Sequence, residues 1–498
     1  MPPVPTRKPV SKACDACRKR KIKCDGCQPC AGCAGASLAC TFNLPRGQGG
    51  ARATVLDQLR AIPSSNIASK TAARSSSLSI EPASPVSANC SLVERCMDVY
   101  ITHVYPVVPI LDVSLIEAQV ARQEISPPSR QFVQAFCAYV SNFGRMIPSS
   151  GDRHEPNFTE ESGRRLLDAT IHSQRPLTGP RPISISVYTS FFLYGACAGL
   201  GAYQEAWYFL REATTCFLMV KPSVDSCDWY DEKTQRSLFW ILVVSERSHA
   251  IRKNRPITLS IFETSLLLDG PREQGLQYLA SVFRPFDEVF FSVWNGATQS
   301  CSKEWLLQLE YDVRTALPPE LDLCHEEIAN LRISQCWLQI KLWELFPRYG
   351  FLSSESEHDC LTFGYPLMIA KSFTTIARSL PVSSLQVHGV GMTEKVFDIA
   401  CALVDVLPFL SQPSLQSQLS HTDSLTQMLS VLVQLPGGNT KFVPLIMAKV
   451  HELLPDLVRD LLAAVDMPFE TLNHPMSPNT RFLYEEEVGR GLYTDLRR

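Results

Sequence analysis

Between residues 14 and 40 the chain reads CDACRKRKIKCDGCQPCAGCAGASLAC, a stretch whose thiols recur at two matched spacings around a basic run. Cys14, Cys17 and Cys24 form a CxxC followed by six residues and a third cysteine. Cys30, Cys33 and Cys40 repeat that pattern after a five-residue spacer. Soft thiolate ligands favour zinc, and a tetrahedral zinc takes four of them. Two ions need eight coordination places and the repeat offers six sulfurs, so two sulfurs must be shared. Equivalence of the halves puts the shared sulfurs at matching positions, for which we choose Cys14 and Cys30, the first cysteine of each half. The candidate metal ligands are therefore Cys14, Cys17, Cys24, Cys30, Cys33 and Cys40, holding two Zn2+ ions per chain in a binuclear cluster. An iron–sulfur cluster, a metallothionein-like sink or a disulfide knot would also account for the cysteines, but each leaves the basic insert unexplained.

That insert is Arg18, Lys19, Arg20, Lys21 and Lys23, lying between the second and third thiols of the first half. Residues 1 to 60 carry eleven Lys/Arg against three Asp, a charge of +8 that falls to +6 once two zincs and six thiolates are added. The whole chain is at −3, so the remaining residues carry −11. Basic character is thus confined to the arm, as expected of a DNA-contacting end on a mildly acidic remainder. A seventh thiol, Cys27, falls in the spacer. We expect it to be free and exposed, the contrary being that it replaces Cys24 or Cys30 as a ligand.

These residues resemble the fungal binuclear zinc cluster transcription factors, whose DNA-binding module has this six-cysteine spacing, a basic insert and a CDG-x-x-PC stretch, matched here by Cys24-Asp25-Gly26 and Pro29-Cys30. The resemblance implies a short helix after each CxxC, the first entering the major groove to read a CGG triplet. By position it implies that Arg20 and Lys21 read bases, with Arg18, Lys19 and Lys23 nearer the phosphates. Arg and Lys suit that role, because guanine offers O6 and N7 as acceptors in the major groove. Helix periodicity alone does not choose Arg20 over Lys19.

The elements that must carry this arm follow in order. The start, MPPVPTRKPVSKA, is proline-rich and basic and lacks the apolar core of a signal peptide, so its paired thiols are expected to bind metal rather than form disulfides. Val55, Leu56, Leu59 and Ile62 make fewer than two heptads before Pro63, which leaves dimerisation through a zipper unsupported. Residues 63 to 91 hold ten Ser, three Pro and no aromatic residue, a composition that cannot offset the entropy of ordering. Beyond Ser91, apolar residues recur at three- and four-residue steps without any period-two alternation. Helices are expected at about 129–143, 159–174, 184–200, 204–219, 229–252, 275–295, 302–316, 321–346, 365–379, 393–410, 421–434 and 443–465, with Ser114 and Glu117 forming a capping box on an earlier one. The uncharged stretch 183–204 reads as a buried helix and its turn, not a membrane span. The expected fold is mostly α: a binuclear zinc cluster module at 10–45, a disordered Ser-rich linker at 46–90, a large all-α regulatory body at 91–470 and a tail at 471–498.

From Tyr105-Pro106-Val107-Val108-Pro109 through Trp240 to Arg255-Pro256-Ile257, the body resembles the fungal-specific transcription factor homology domain, which implies a regulatory or effector-responsive role. No catalytic constellation is readable. There is no Walker loop, HExxH or GxSxG, and Gln204 stands where a dinucleotide fingerprint needs its third glycine. Glu246 and Arg247 read as a structural ion pair or helix-face charges. Phe191-Phe192, Trp207-Tyr208-Phe209 and Phe290-Phe291 read as core. The eleven later cysteines read as buried free thiols, and FLYEEEV at 482–488 as a terminal turn or minimal activation segment.

Together these features predict a nuclear, sequence-specific transcription regulator rather than an enzyme. Its partners would be double-stranded DNA, transcription machinery or co-regulators, and a small-molecule effector. A specialised-metabolite pathway is the first expectation for its targets and nutrient or sugar utilisation the second. The alternative class is a small-molecule-binding protein or enzyme with an appended zinc module.

Overall fold

The computed structural model describes residues 13–19, 23–36, 40–41, 90–106, 108–144, 158–173, 183–220, 232–261, 273–298, 300–353, 355–410 and 415–464. Arg20 and Lys21, the zipper candidates, nearly all of the Ser-rich linker and the FLYEEEV tail lie outside them. The chain divides into two units, residues 1–81 and 82–498. Among the described residues there is no β-strand.

The first unit contains two short helices, α1 (Asp15–Lys19) and α2 (Ala31–Ala34), each beginning directly after the first cysteine of a CxxC. Its only buried apolar side chains, among the described residues, are Cys14, Cys17, Cys30 and Cys33.

The second unit is a helical array. It opens with α3 (Cys90–Val99), which widens into a π-turn at Tyr100–Val104, and continues through α4 (Val113–Arg122), α5 (Pro127–Gly144), α6 (Glu160–Ser173), α7 (Ile183–Gly199), α8 (Tyr203–Met219) and α9 (Glu232–Lys253). There follow α10 (Gln274–Phe283), α11 (Glu288–Trp294), α12 (Lys303–Thr315), α13 (His325–Trp343), α14 (Leu345–Arg348), α15 (Tyr365–Ser379), α16 (Ser383–Gln386), α17 (Val390–Val406), α18 (Leu415–Gln434), α19 (Val443–Leu453) and α20 (Val458–Ala464).

Several boundaries depart from the sequence reading for identifiable reasons. The cap of α4 is Asp112, whose carboxylate accepts from Ser114 N at 3.0 Å and from Ser114 Oγ at 2.8 Å, so the Ser114–Glu117 capping box is not formed. The single helix expected over 275–295 is two, because the chain turns at Pro285 and Asp287 caps α11 by accepting from Phe290 N at 2.9 Å. The helix expected over 443–465 likewise divides at Pro455 into α19 and α20. Residues 183–204 form α7 and its turn as expected, with Gly201 at φ 73 making the reversal. No described helix is long and apolar enough to cross a membrane.

Two apolar cores organise the array. One gathers side chains from Val93 to Ala280 and is centred on α5, α7 and α8; the other runs from Ala250 to Leu462 and is centred on α13, α15 and α17. Helix α9 belongs to both. Its Leu238 to Val243 segment packs into the first core, while Ala250 and Ile251 pack into the second. Close approach of α5 to α7 depends on Gly195, because a Cβ there would lie 2.4 Å from the ring of Tyr139.

Glu246 and Arg247 are both fully buried and form an ion pair at 2.8 Å, which excludes solvent-facing helix charges. Each Glu246 oxygen has two donors: Oε1 accepts from Thr258 N at 2.8 Å and from Arg211 Nη1 at 3.1 Å, and Oε2 from Arg247 Nη1 and from Leu259 N at 3.1 Å. Arg247 donates in turn to Leu259 O and to Phe286 O. The pair thereby terminates backbone groups of the segment after α9, where no helix or sheet ladder could satisfy them. Tyr208, expected in the core, is 63% exposed, because it lies on the outer face of α8. Among the later cysteines, Cys96, Cys137, Cys197, Cys336 and Cys360 are buried, whereas Cys324 is exposed at the start of α13.

Candidate metal centre and nucleic-acid interface

The six cysteines of the repeat converge in the first unit. Sγ–Sγ distances are 3.7 Å for Cys14–Cys30, 3.6 Å for Cys14–Cys33, 3.5 Å for Cys17–Cys30 and 4.0 Å for Cys17–Cys33. Zinc–sulfur bonds of about 2.3 Å put the corners of a tetrahedron about 3.8 Å apart, so the spacing fits zinc ligation. Two four-sulfur groups can be drawn, Cys14, Cys17, Cys24, Cys30 and Cys14, Cys30, Cys33, Cys40, each with all its sulfurs within 4.8 Å of one another. The two sulfurs common to both groups are those of Cys14 and Cys30.

Local hydrogen bonds repeat with a 16-residue offset. Cys17 N donates to Cys14 Sγ at 3.4 Å and Cys33 N to Cys30 Sγ at 3.3 Å. Cys14 N donates to Cys24 Sγ at 3.4 Å and Cys30 N to Cys40 Sγ at 3.3 Å. The equivalence of halves assumed from spacing is therefore present in the backbone. The N–H bond from Cys17 holds the Cys14 thiol below its ordinary pKa. Burial works against the same shift at Cys30, but bonds from Cys17 and Cys33 prevail and lower it. Burial pushes Cys17 up to about 12.

The spacer between the halves is organised by Asp25. Its carboxylate accepts from Cys27 N at 3.1 Å and from Ala31 N, the first residue of α2, at 2.8 Å; the Ala31 bond is the larger cause of its lowered pKa. Gly26 follows at φ 80, a conformation that asks for glycine. The module closes on itself through Asp15, which donates its N–H to Thr41 O at 2.8 Å and accepts from Thr41 Oγ1 at 2.8 Å. Sequence reasoning used the CDG stretch as a motif but gave Asp25 no task and overlooked Thr41.

Cys27 is exposed and belongs to neither four-sulfur group; its carbonyl accepts from Cys40 Sγ at 3.7 Å. Of the basic insert, Arg18 and Lys19 fall on α1 and Lys23 is exposed.

This constellation defines a class: six thiolates grouped so that they can hold two zincs, on a basic arm ahead of an α-helical body. Residues 12–49 match the fungal Zn(2)-Cys(6) binuclear cluster domain, which binds two zinc ions. Over most of its length the chain is similar to a probable sucrose utilization protein of Candida albicans, at 24% identity over 451 residues, covering 86% of this chain and 84% of the relative. It is similar to a maltose fermentation regulatory protein of Saccharomyces cerevisiae at 23% over 411 residues, covering 80% and 84%. A respiratory transcription factor of Saccharomyces cerevisiae matches at 22% over 419 residues, covering 79% and 84%. Residues 12–49 thus carry the binuclear cluster domain, and the longer likeness is to fungal proteins named for sugar utilization and transcription.

Proposed function

We propose that this chain is a nuclear, sequence-specific regulator of carbohydrate-utilisation genes, without a catalytic step of its own. The observation that carries the reading is likeness along some four-fifths of the chain to proteins named for sucrose utilization and maltose fermentation. That likeness favours the second expectation from the sequence over the first, a specialised-metabolite pathway.

Within it we assign residues 10–45 to the DNA-binding domain, 46–90 to a linker, 91–470 to the regulatory body and 471–498 to a tail. The ligand assignment is Cys14 and Cys30 shared, Cys17 and Cys24 on one ion, Cys33 and Cys40 on the other. The zincs supply no reaction. They fix the two halves so that α1 can present the basic insert to the major groove. Arg20 and Lys21 read guanines, and Arg18, Lys19 and Lys23 neutralise phosphates.

Two measurements test the reading. Transcripts compared with and without the gene, on sucrose or maltose against glucose, should change in genes for sugar uptake and hydrolysis; changes confined to a specialised-metabolite cluster would overturn it. Arg20→Ala or Lys21→Ala should cost about 1–3 kcal/mol at the specific site and flatten discrimination between sites, whereas Lys8→Ala should weaken all DNA about equally. Equal losses on specific and random DNA in the Arg20 and Lys21 variants would refute the assignment.

A further inference from the structure

Between the two apolar cores of the helical body lies a cavity of about 300 Å³, walled by α5, α7, α8, α9, α10, α13 and α17. Its volume sits at the lower end of the roughly 300–1,000 Å³ typical of small-molecule sites, enough for a one-ring metabolite. Part of the wall is aromatic, with Tyr139, Phe191, Tyr194, Tyr203 and Trp337. Another part offers neutral hydrogen-bonding groups, Asn142, Ser245, Ser248 and Asn330. His249 and His388 also face it, each pushed down to about 4 with burial the largest cause, so both are uncharged at neutral pH.

Charge decides the class of ligand. Lys395, half-buried in the wall, donates to Ser334 Oγ at 2.7 Å and stands 5.9 Å from the ring centre of Trp337. No carboxylate of the described residues is in ion-pair contact with it. Of the nearby acids, Asp398 bridges Arg252 at 2.8 Å and Lys341 at 3.3 Å, while Glu394, with Oε2 3.4 Å from Arg252 Nε, also faces the cavity and attracts Lys395 without an ion-pair contact. A second ammonium, that of Lys253, lies 4.5 Å from the ring centre of Tyr203. For Lys395, an ammonium half withdrawn from water with no carboxylate in contact is costly, and an anion entering the cavity reduces that cost.

We propose that this cavity binds a hydroxylated organic anion, a sugar phosphate or a sugar acid in chemical class, with the anionic group on Lys395 and the hydroxylated ring in the aromatic and amide-lined remainder. The binding stands apart from which genes are controlled; only its use as a metabolic signal rests on the carbohydrate reading above.

The test is thermal unfolding of the zinc-loaded full chain, without DNA, in glucose 6-phosphate, gluconate, glucose, maltose and inorganic phosphate. Glucose 6-phosphate or gluconate should raise the Tm saturably at millimolar concentration, and which of the two does so tells phosphate from carboxylate. Glucose and maltose should have no such effect, and inorganic phosphate a smaller one. Lys395→Met should weaken the apparent affinity by about tenfold or more, and Lys395→Arg should keep it within about threefold. Because the basic arm also attracts anions, the difference between wild type and Lys395→Met is the reading that counts. Should Lys395→Met fail to fold, Ser248→Leu fills the cavity with the charge retained and should abolish the shift. An undiminished shift in both variants, an equal shift with glucose or maltose, or no shift with either organic anion overturns the proposal. Transcripts report separately on the carbohydrate reading.

Discussion

Replacing Cys30 by alanine addresses the shared-sulfur arrangement most directly. The Cys30 sulfur lies 3.7 Å from that of Cys14 and 3.5 Å from that of Cys17, and belongs to both four-sulfur groups. Its loss leaves each zinc with three protein sulfurs, whereas loss of Cys24 leaves one ion with its full set. It also removes one of the two acceptors of Cys33 N in α2, leaving the backbone carbonyl of residue 30. The module has little else to hold it, because its buried apolar side chains, among the described residues, are the cysteines themselves. A unit this small needs its metal to fold, and structural zinc contributes about 10–16 kcal/mol in small zinc modules.

The full-length Cys30→Ala chain should therefore hold less than about one zinc by elemental analysis and lose specific DNA binding. Cys24→Ala should retain between about one and two. The helical body should be unaffected in both, which tryptophan fluorescence reports cleanly, since all seven tryptophans lie between residues 207 and 343. Two zincs retained in Cys30→Ala, or equal metal loss in the two variants, would refute the assignment of Cys30 as a bridge.

Cys27→Ser should keep both zincs and DNA affinity within a factor of about three while removing one readily alkylated thiol from the folded arm; zinc loss in that variant, with normal metal in Cys24→Ser, would mean a ligand exchange. Glu246→Gln removes the charge beside buried Arg247 and sets an amide against backbone donors, so it should cost about 3–5 kcal/mol in urea unfolding of the body, and a loss under about 1 kcal/mol would refute the network. Replacing Glu246 and Arg247 together by leucine and methionine should not restore stability, because Thr258 N, Leu259 N, Leu259 O and Phe286 O would then lose their partners; recovery to wild type counts against that reasoning. His249 and His388 are neutral in the fold down to about 4 and take up protons near 6.5 when unfolded, so their contribution is complete above 6.5 and is lost as pH falls toward 4. The urea midpoint followed by tryptophan emission should fall between pH 7 and 5, and less so in His249→Phe.

What could be read in advance divides along physical lines. The cysteine repeat was legible because ligand chemistry fixes residue type and number, and counting sulfurs against coordination places was enough to nominate Cys14 and Cys30. The helices of the body were legible because each buries a stripe against a core, but their ends were not. The apolar period runs across Pro285 and Pro455 although the helix does not, and Asp112 and Ser114 are both good caps two residues apart. Asp25 and Thr41 escaped because their partners are backbone groups elsewhere in a small fold, and such bonds leave no periodic trace. Glu246 and Arg247 are the sharper case. They read as a structural ion pair or helix-face charges, but sequence neighbours on a helix do not ordinarily face each other, so neither their full burial nor the backbone groups they bind was legible. The pair nonetheless closes because both side chains turn toward the segment after α9, where Thr258 and Leu259 present unpaired N–H groups. The cavity lies furthest from any sequence signal. Its wall is drawn from seven helices, and Lys395 acquires meaning only because Glu394 and Asp398, one and three residues away, make their ion pairs with Arg252, from more than 140 residues earlier in the chain, and not with it.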